Sequence, residues 1–156
     1  MVSKAAGFVL GALMAGVSAQ AAPADHYSIG DLTREMAKLK AQAATTGSAS
    51  EKLQQYPGHF TMLAYRTKDG GAEIHQQNAD IFYVVRGKAI LLTEGSIPDV
   101  KEESAGELRG AAVVGGKKTA LRTGDVVHIP AGTPHQLLVP AGHEVLYFVI
   151  KIKEHD

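Results

Sequence analysis

The chain contains no cysteine. This excludes an acylated lipoprotein cysteine and any disulfide framework, so stability must come from packing and from whatever metal the fold can hold. Charge of one sign is not in excess either, with 16 basic and 16 acidic residues among 156. That balance argues against nucleic acid or an anionic membrane surface as the main partner. There is no internal repeat beyond a strand rhythm, and no apolar run suited to spanning a bilayer. The N-terminal stretch MVSKAAGFVLGALMAGVSAQAA is rich in Ala and Gly and is followed at once by Pro23, which makes a poor spanning helix. Its early Lys4, modest apolar run and Ala19-Gln20-Ala21 triplet instead carry the signature of a secretory signal peptide cleaved after Ala21. No twin-arginine pair precedes the run, which favours export of an unfolded chain. Residues 1–21 are therefore expected to be a leader. A periplasmic or secreted protein follows, without stable membrane insertion after cleavage, and it would acquire any metal outside the cytoplasm.

Removal of residues 1–21 leaves 135, and Lys4 is the only charge lost, so 15 basic residues face 16 acidic ones. This length suits one domain with its own core. Within it, Ile29, Leu32, Met36, Leu39 and Ala43 recur at helical spacing, and Ser28 with Asp31 reads as a capping box. Residues 22–47 are thus expected to form one amphipathic helical segment packed on a domain over 48–156.

From Lys52 onward the period becomes two. Segments 59–67, 72–75, 80–85, 89–93, 125–129, 135–139 and 144–152 are short and rich in Val, Ile, Leu, Phe and Tyr. They are punctuated by KDGG, RGK, TGD, PAGTP and PAG, a pattern that predicts an all-β sandwich or barrel. Glu94 to Lys118 breaks the rhythm with Pro98, an acidic stretch and several glycines. It reads as an exposed loop with an extra strand near Leu108 to Val114, long enough to act as a lid.

Chemistry-bearing residues gather in EIHQQNADIFYVVRG, Glu73 to Gly87. Glu73 and His75 share a strand face, and Asp80 follows a polar interruption. Farther on, GDVVHIPAGTPH places His135 after a tight turn. These residues resemble the two motifs of the cupin superfamily. In the first, Glu73 and His75 occupy the positions of the His-x-His pair, and Asp80 that of the glutamate, with Gly87 seven residues later. In the second, Gly124, Pro130, Gly132 and His135 match, while Val139 replaces the final Asn.

The resemblance implies a cupin-like double-sheet β-barrel of jelly-roll type with one N-terminal helix. It implies that Glu73, His75, Asp80 and His135 surround one divalent ion. Two imidazoles with one or two carboxylates suit Fe, Mn, Zn, Ni or Cu without choosing among them. Glu73 reads equally as a ligand or as a general base beside the metal, and His128 as a group orienting substrate in the same cavity. Tyr65, Arg66, Gln77, Tyr83 and Lys151 are further candidates for contacting a ligand, whereas Lys117, Lys118 and Arg122 read as a solvated edge. The expected partner is a small polar metabolite, either turned over in a dioxygenase- or isomerase-type reaction or simply bound, as a sugar would be. A homodimer is left open.

Overall fold

Ser28 and Asp31 close a capping box at the start of helix α1 (Ile29–Gln42) in the computed structural model, which describes residues 23–155. The Ser28 hydroxyl accepts the Asp31 N–H, and the Asp31 carboxylate accepts the Ser28 N–H at 3.0 Å, satisfying two amides that a helix start leaves orphaned. The leader expected at residues 1–21 lies outside the described residues. Among those described, no helix is long and apolar enough to cross a membrane.

Among the described residues ten strands follow: β1 (Ser48–Gln55), β2 (His59–Arg66), β3 (Ala72–His75), β4 (Asn78–Thr93), β5 (Lys101–Ser104), β6 (Glu107–Gly110), β7 (Lys117–Arg122), β8 (Val126–Ile129), β9 (His135–Leu138) and β10 (Val145–Lys153). They pair antiparallel in the order β1-β2-β10-β4-β9-β3-β6-β5, with β7 and β8 also on β4. The fold is all-β, a curled sheet carrying one helix. Alternation separates its two apolar layers. Ala64, Phe82, Val84, Leu137, Val139, Val145, Tyr147 and Val149 point into the curl. Leu63, Tyr65, Val85 and Leu146 point out and meet Leu32, Met36 and Leu39 of α1.

Strand β4 organises both halves of the curl. Its first half pairs with β8 and β10, and its second half, from Lys88, pairs with β7 and β9. The spacing predicts two strands separated by an RGK turn, yet the chain runs through as one strand. Bending is absorbed by a bulge that leaves Val85 without a register partner on β10, followed by Gly87 at φ 91°.

Other departures have similarly local causes. Strand β1 is polar, pairs only with β2 and carries no apolar alternation, so nothing in SASEKLQQ announces it. Strand β7 is exposed at all but Leu121 and pairs only with β4. Glu94 to Lys118 is not a free loop. It holds the β5–β6 hairpin, and Ile97 and Val113 are buried against Ala72 and Leu92. Gln136 pins it by accepting the Val113 N–H at 3.1 Å.

Helix and sheet are also tied by one polar group. The Tyr65 hydroxyl donates to Glu144 at 2.6 Å, and Lys40 of α1 pairs with the same oxygen at 2.8 Å. Burial and the Glu144 bond raise the Tyr65 phenol to about 12. Because the fold favours the protonated phenol, this stability is complete below the unfolded value near 10 and is lost as pH rises towards 12. Tyr65→Phe is expected to cost about 1 kcal/mol at neutral pH and to flatten the alkaline fall in stability over that window, which urea melts at stepped pH would show.

Candidate metal centre

The site is assembled by strand register. Glu73 and His75 lie two apart on β3 and so share its inner face. Glu73 is the direct cross-strand partner of His135 on β9, while Asp80 on β4 faces Lys151 on β10. Strand β6 sets Arg109 opposite Glu73 and Glu107 opposite His75. Residues distant in sequence therefore converge because three neighbouring pairings share one end of the curl.

Both histidines are buried, and the Nε2 atom of each has no hydrogen-bond partner. His75 Nε2 lies 3.3 Å from Glu73 Oε2 and 3.4 Å from Asp80 Oδ2. His135 Nε2 lies 3.7 Å from each of the same two oxygens. Their other ring nitrogens are engaged: His75 Nδ1 meets Glu107 Oε2 at 2.6 Å, and His135 Nδ1 meets the Thr133 carbonyl at 2.9 Å. Ionised carboxylates and carbonyls only accept, so both Nδ1 atoms carry hydrogen. In the neutral rings the Nε2 lone pairs then face inward.

A divalent ion answers this arrangement. Leaving two buried imidazole nitrogens unsatisfied is costly. A cation with bonds of about 2.1 Å sets tetrahedral ligand atoms roughly 3.4 Å apart, close to the 3.3–3.7 Å spacings between these imidazoles and carboxylates. Ligand atoms of Glu73, His75 and His135 all lie within 4.8 Å of one another. Asp80 Oδ2 lies 3.4 and 3.7 Å from the two imidazole nitrogens, while its Oδ1 is held by Lys151 at 2.6 Å.

The charges are poised accordingly. Burial raises the Glu73 pKa, but contact with His75 and the charge of Arg109 outweigh it and hold the group near 2. For Asp80, burial is likewise overcome by His75 and Lys151, so its pKa is lowered. Burial works against the charged form of His75, but the carboxylates of Asp80 and Glu73 reverse this and raise it to about 9. His135 is depressed, chiefly by burial. One imidazole is thus free to offer its lone pair, while the other would have to give up a proton before holding a metal ion.

Around the cluster lies a cavity of about 370 Å³ whose lining includes the cations Arg66, Arg109 and Lys151 and the apolar Met62, Phe82 and Val149. Arg109 pairs with Glu107 at 3.0 Å. Arg66 donates to the Tyr147 hydroxyl at 3.1 Å, and no described carboxylate comes within ion-pair distance of it.

His128, expected to orient substrate, does not reach the cluster. Its side chain is 55 % exposed and lies 3.7 Å from Glu154, because alternation on β8 turns Val127 and Ile129 inward instead. Tyr65 and Tyr83 face the helix layer and not this cavity. Glu107 and Arg109 are participants that the sequence pattern misses. Glu107 sits in the portion read as an exposed loop and Arg109 in the extra strand expected near Leu108 to Val114, and the four residues of β6 are all half-buried, which gives no alternation to say which side chains face the site. Glu107 locks the His75 ring, so Glu107→Gln is expected to weaken divalent-metal binding by about 10- to 100-fold, measured by competition against a chromophoric chelator.

Curl, helix and inward site together define a cupin-fold protein with a cluster suited to a metal. Among solved structures, KdgF from Halomonas sp. superposes with a TM-score of 0.52 at 18% identity, covering 71% of this chain and 83% of that one. The Cnp3 cupin domain of Schizosaccharomyces pombe gives 0.52 at 9% identity, over 69% and 65% of the two chains. An oxalate oxidase in complex with glycolate gives 0.50 at 19% identity, over 71% of this chain and 53% of that one. No family model and no curated protein sequence matches the chain.

Proposed function

We propose that this protein is a metal-dependent cupin that binds, and acts on, a small carboxylate-bearing metabolite. The observation that carries the reading is the pair of buried, unpartnered imidazole nitrogens aimed at the same two carboxylate oxygens. His75, His135, Glu73 and Asp80 would hold the ion, which when bound supplies a Lewis acid to polarise a substrate oxygen. Arg66 supports the ligand class. Its guanidinium lines the cavity beside Glu73 without a carboxylate of its own, and such a fork suits a bidentate carboxylate. The oxalate oxidase of similar fold is itself complexed with glycolate, and about 370 Å³ accommodates an acid of that size or larger. The apolar side chains of Phe82 and Val149 in the same lining disfavour water there, and Lys151 steadies Asp80. The leader-like sequence of residues 1–21 supports a location outside the cytoplasm for this activity.

Cobalt(II) titration of metal-free protein tests the reading. One equivalent should saturate a visible d–d spectrum, and small hydroxy or keto acids should then perturb it. A spectrum that never saturates near one equivalent removes the metal. A saturable spectrum that no acid alters removes the ligand class.

A further inference from the structure

A larger, shallower cleft opens at the bend of β4. It encloses about 960 Å³ and is lined by Lys40, Arg86, Lys88, Arg122, His143 and Glu144 over a floor that includes Gly87. None of its lining residues borders the cavity of the metal centre. Asp80 and Gly87 are seven residues apart on β4, roughly 23 Å of extended strand.

Charge is concentrated here although the whole chain is balanced. Four permanent cations face one carboxylate, and that carboxylate is already engaged: Glu144 Oε2 accepts from Tyr65 and pairs with Lys40. Among the described residues, no carboxylate lies within 4.0 Å of the side-chain nitrogens of Arg86, Lys88 or Arg122. Moreover, Lys88 and Arg122 are direct cross-strand partners. Like charges in that position repel and destabilise the ladder, a cost that a bridging anion would reverse. The sequence hides this grouping. Arg122 reads as part of a solvated edge, and only the bend brings β7, the β10 turn and α1 around Arg86.

We propose that this cleft is a second binding site, for a small ligand carrying two or more oxyanion groups, phosphoryl or carboxylate. Arg86 and Arg122 each offer a planar fork for two oxygens of one group, and Lys40 and Lys88 supply compact charges for the next. Gly87 leaves the floor free of a side chain.

Calorimetry on the full chain as purified, in low salt, distinguishes the two sources with inorganic pyrophosphate and citrate as probes. At least one should bind at a ratio of one per chain, and more weakly as sodium chloride is raised. Arg86→Gln should weaken that binding about tenfold, and Arg86→Gln with Arg122→Gln about a hundredfold. Both positions are exposed, and Arg122→Gln removes the repulsion with Lys88, so the variants should melt no lower than the parent chain. Absence of binding by both probes up to millimolar concentration would overturn the proposal. So would a double variant that binds as tightly as the parent, because the anion would then sit elsewhere.

Discussion

His135→Ala is expected to lower bound divalent metal from about one ion per chain to less than about a tenth, with affinity weakened by at least a hundredfold, beyond the 10- to 100-fold typical of losing a supporting group alone. The reason is geometric. His135 is the nitrogen donor kept neutral by burial, and its Nδ1 bond to Thr133 fixes the ring so that Nε2 points at Glu73 and Asp80. Without it, the only imidazole left is His75, whose pKa is raised to about 9 so that it must first shed a proton, beside two carboxylates, one of which is already held by Lys151. His75→Ala should behave similarly. Glu73→Gln should lose less, since an amide oxygen keeps some affinity for the ion. Dialysis followed by elemental analysis checks all three, and circular dichroism confirms that the barrel persists. Unchanged metal content in His135→Ala would show that any ion sits elsewhere.

Gly87→Ala is expected to destabilise the fold by about 3 kcal/mol or more, among the larger effects of a single substitution. Two penalties coincide. The residue sits at φ 91°, where an L side chain is strained. In addition, a Cβ there would lie 2.0 Å from the Glu144 carbonyl oxygen. That contact is backbone against backbone at the point where β4 passes from its β10 partner to β7, so neither side can yield without breaking the ladder. Gly124 offers an internal control, with a similar φ of 93° and nothing within 4 Å of a Cβ. Gly124→Ala should therefore cost only about 1–2 kcal/mol. Equal shifts in urea midpoint for the two variants would mean that strain, not the close approach at Glu144, sets the requirement.

These two residues also mark what the sequence discloses. The pattern GDVVHIPAGTPH places His135 at the start of a strand, and the spacing of Glu73, His75 and Asp80 puts three of the cluster's members at one junction. Period-two alternation sets Phe82 and Val84 on one inner face, and Leu137 and Val139 on another. Helix α1 is equally legible, because its cap and apolar stripe are local signals. Where pairing is decided by distant partners, the pattern falls silent. The polar edge β1 is stabilised by β2 and not by its own alternation, and the bend at Gly87 looks like a turn until β7 and β10 are set on either side. Glu107 illustrates the same limit. Its role follows from the β3–β6 register, which places it opposite His75, and a four-residue strand inside a glycine-rich segment does not reveal that register. His128 errs in the opposite direction, since its proximity in sequence to Pro130 suggests the cavity, while strand parity turns it to solvent.

Elemental analysis of the chain purified without chelator or an affinity metal column bears most directly on the site. About one divalent ion per chain is expected, removed by a strong chelator and restored on dialysis against the metal. A stoichiometry near zero, with no uptake on reconstitution, would contradict a metal centre at Glu73, His75, Asp80 and His135.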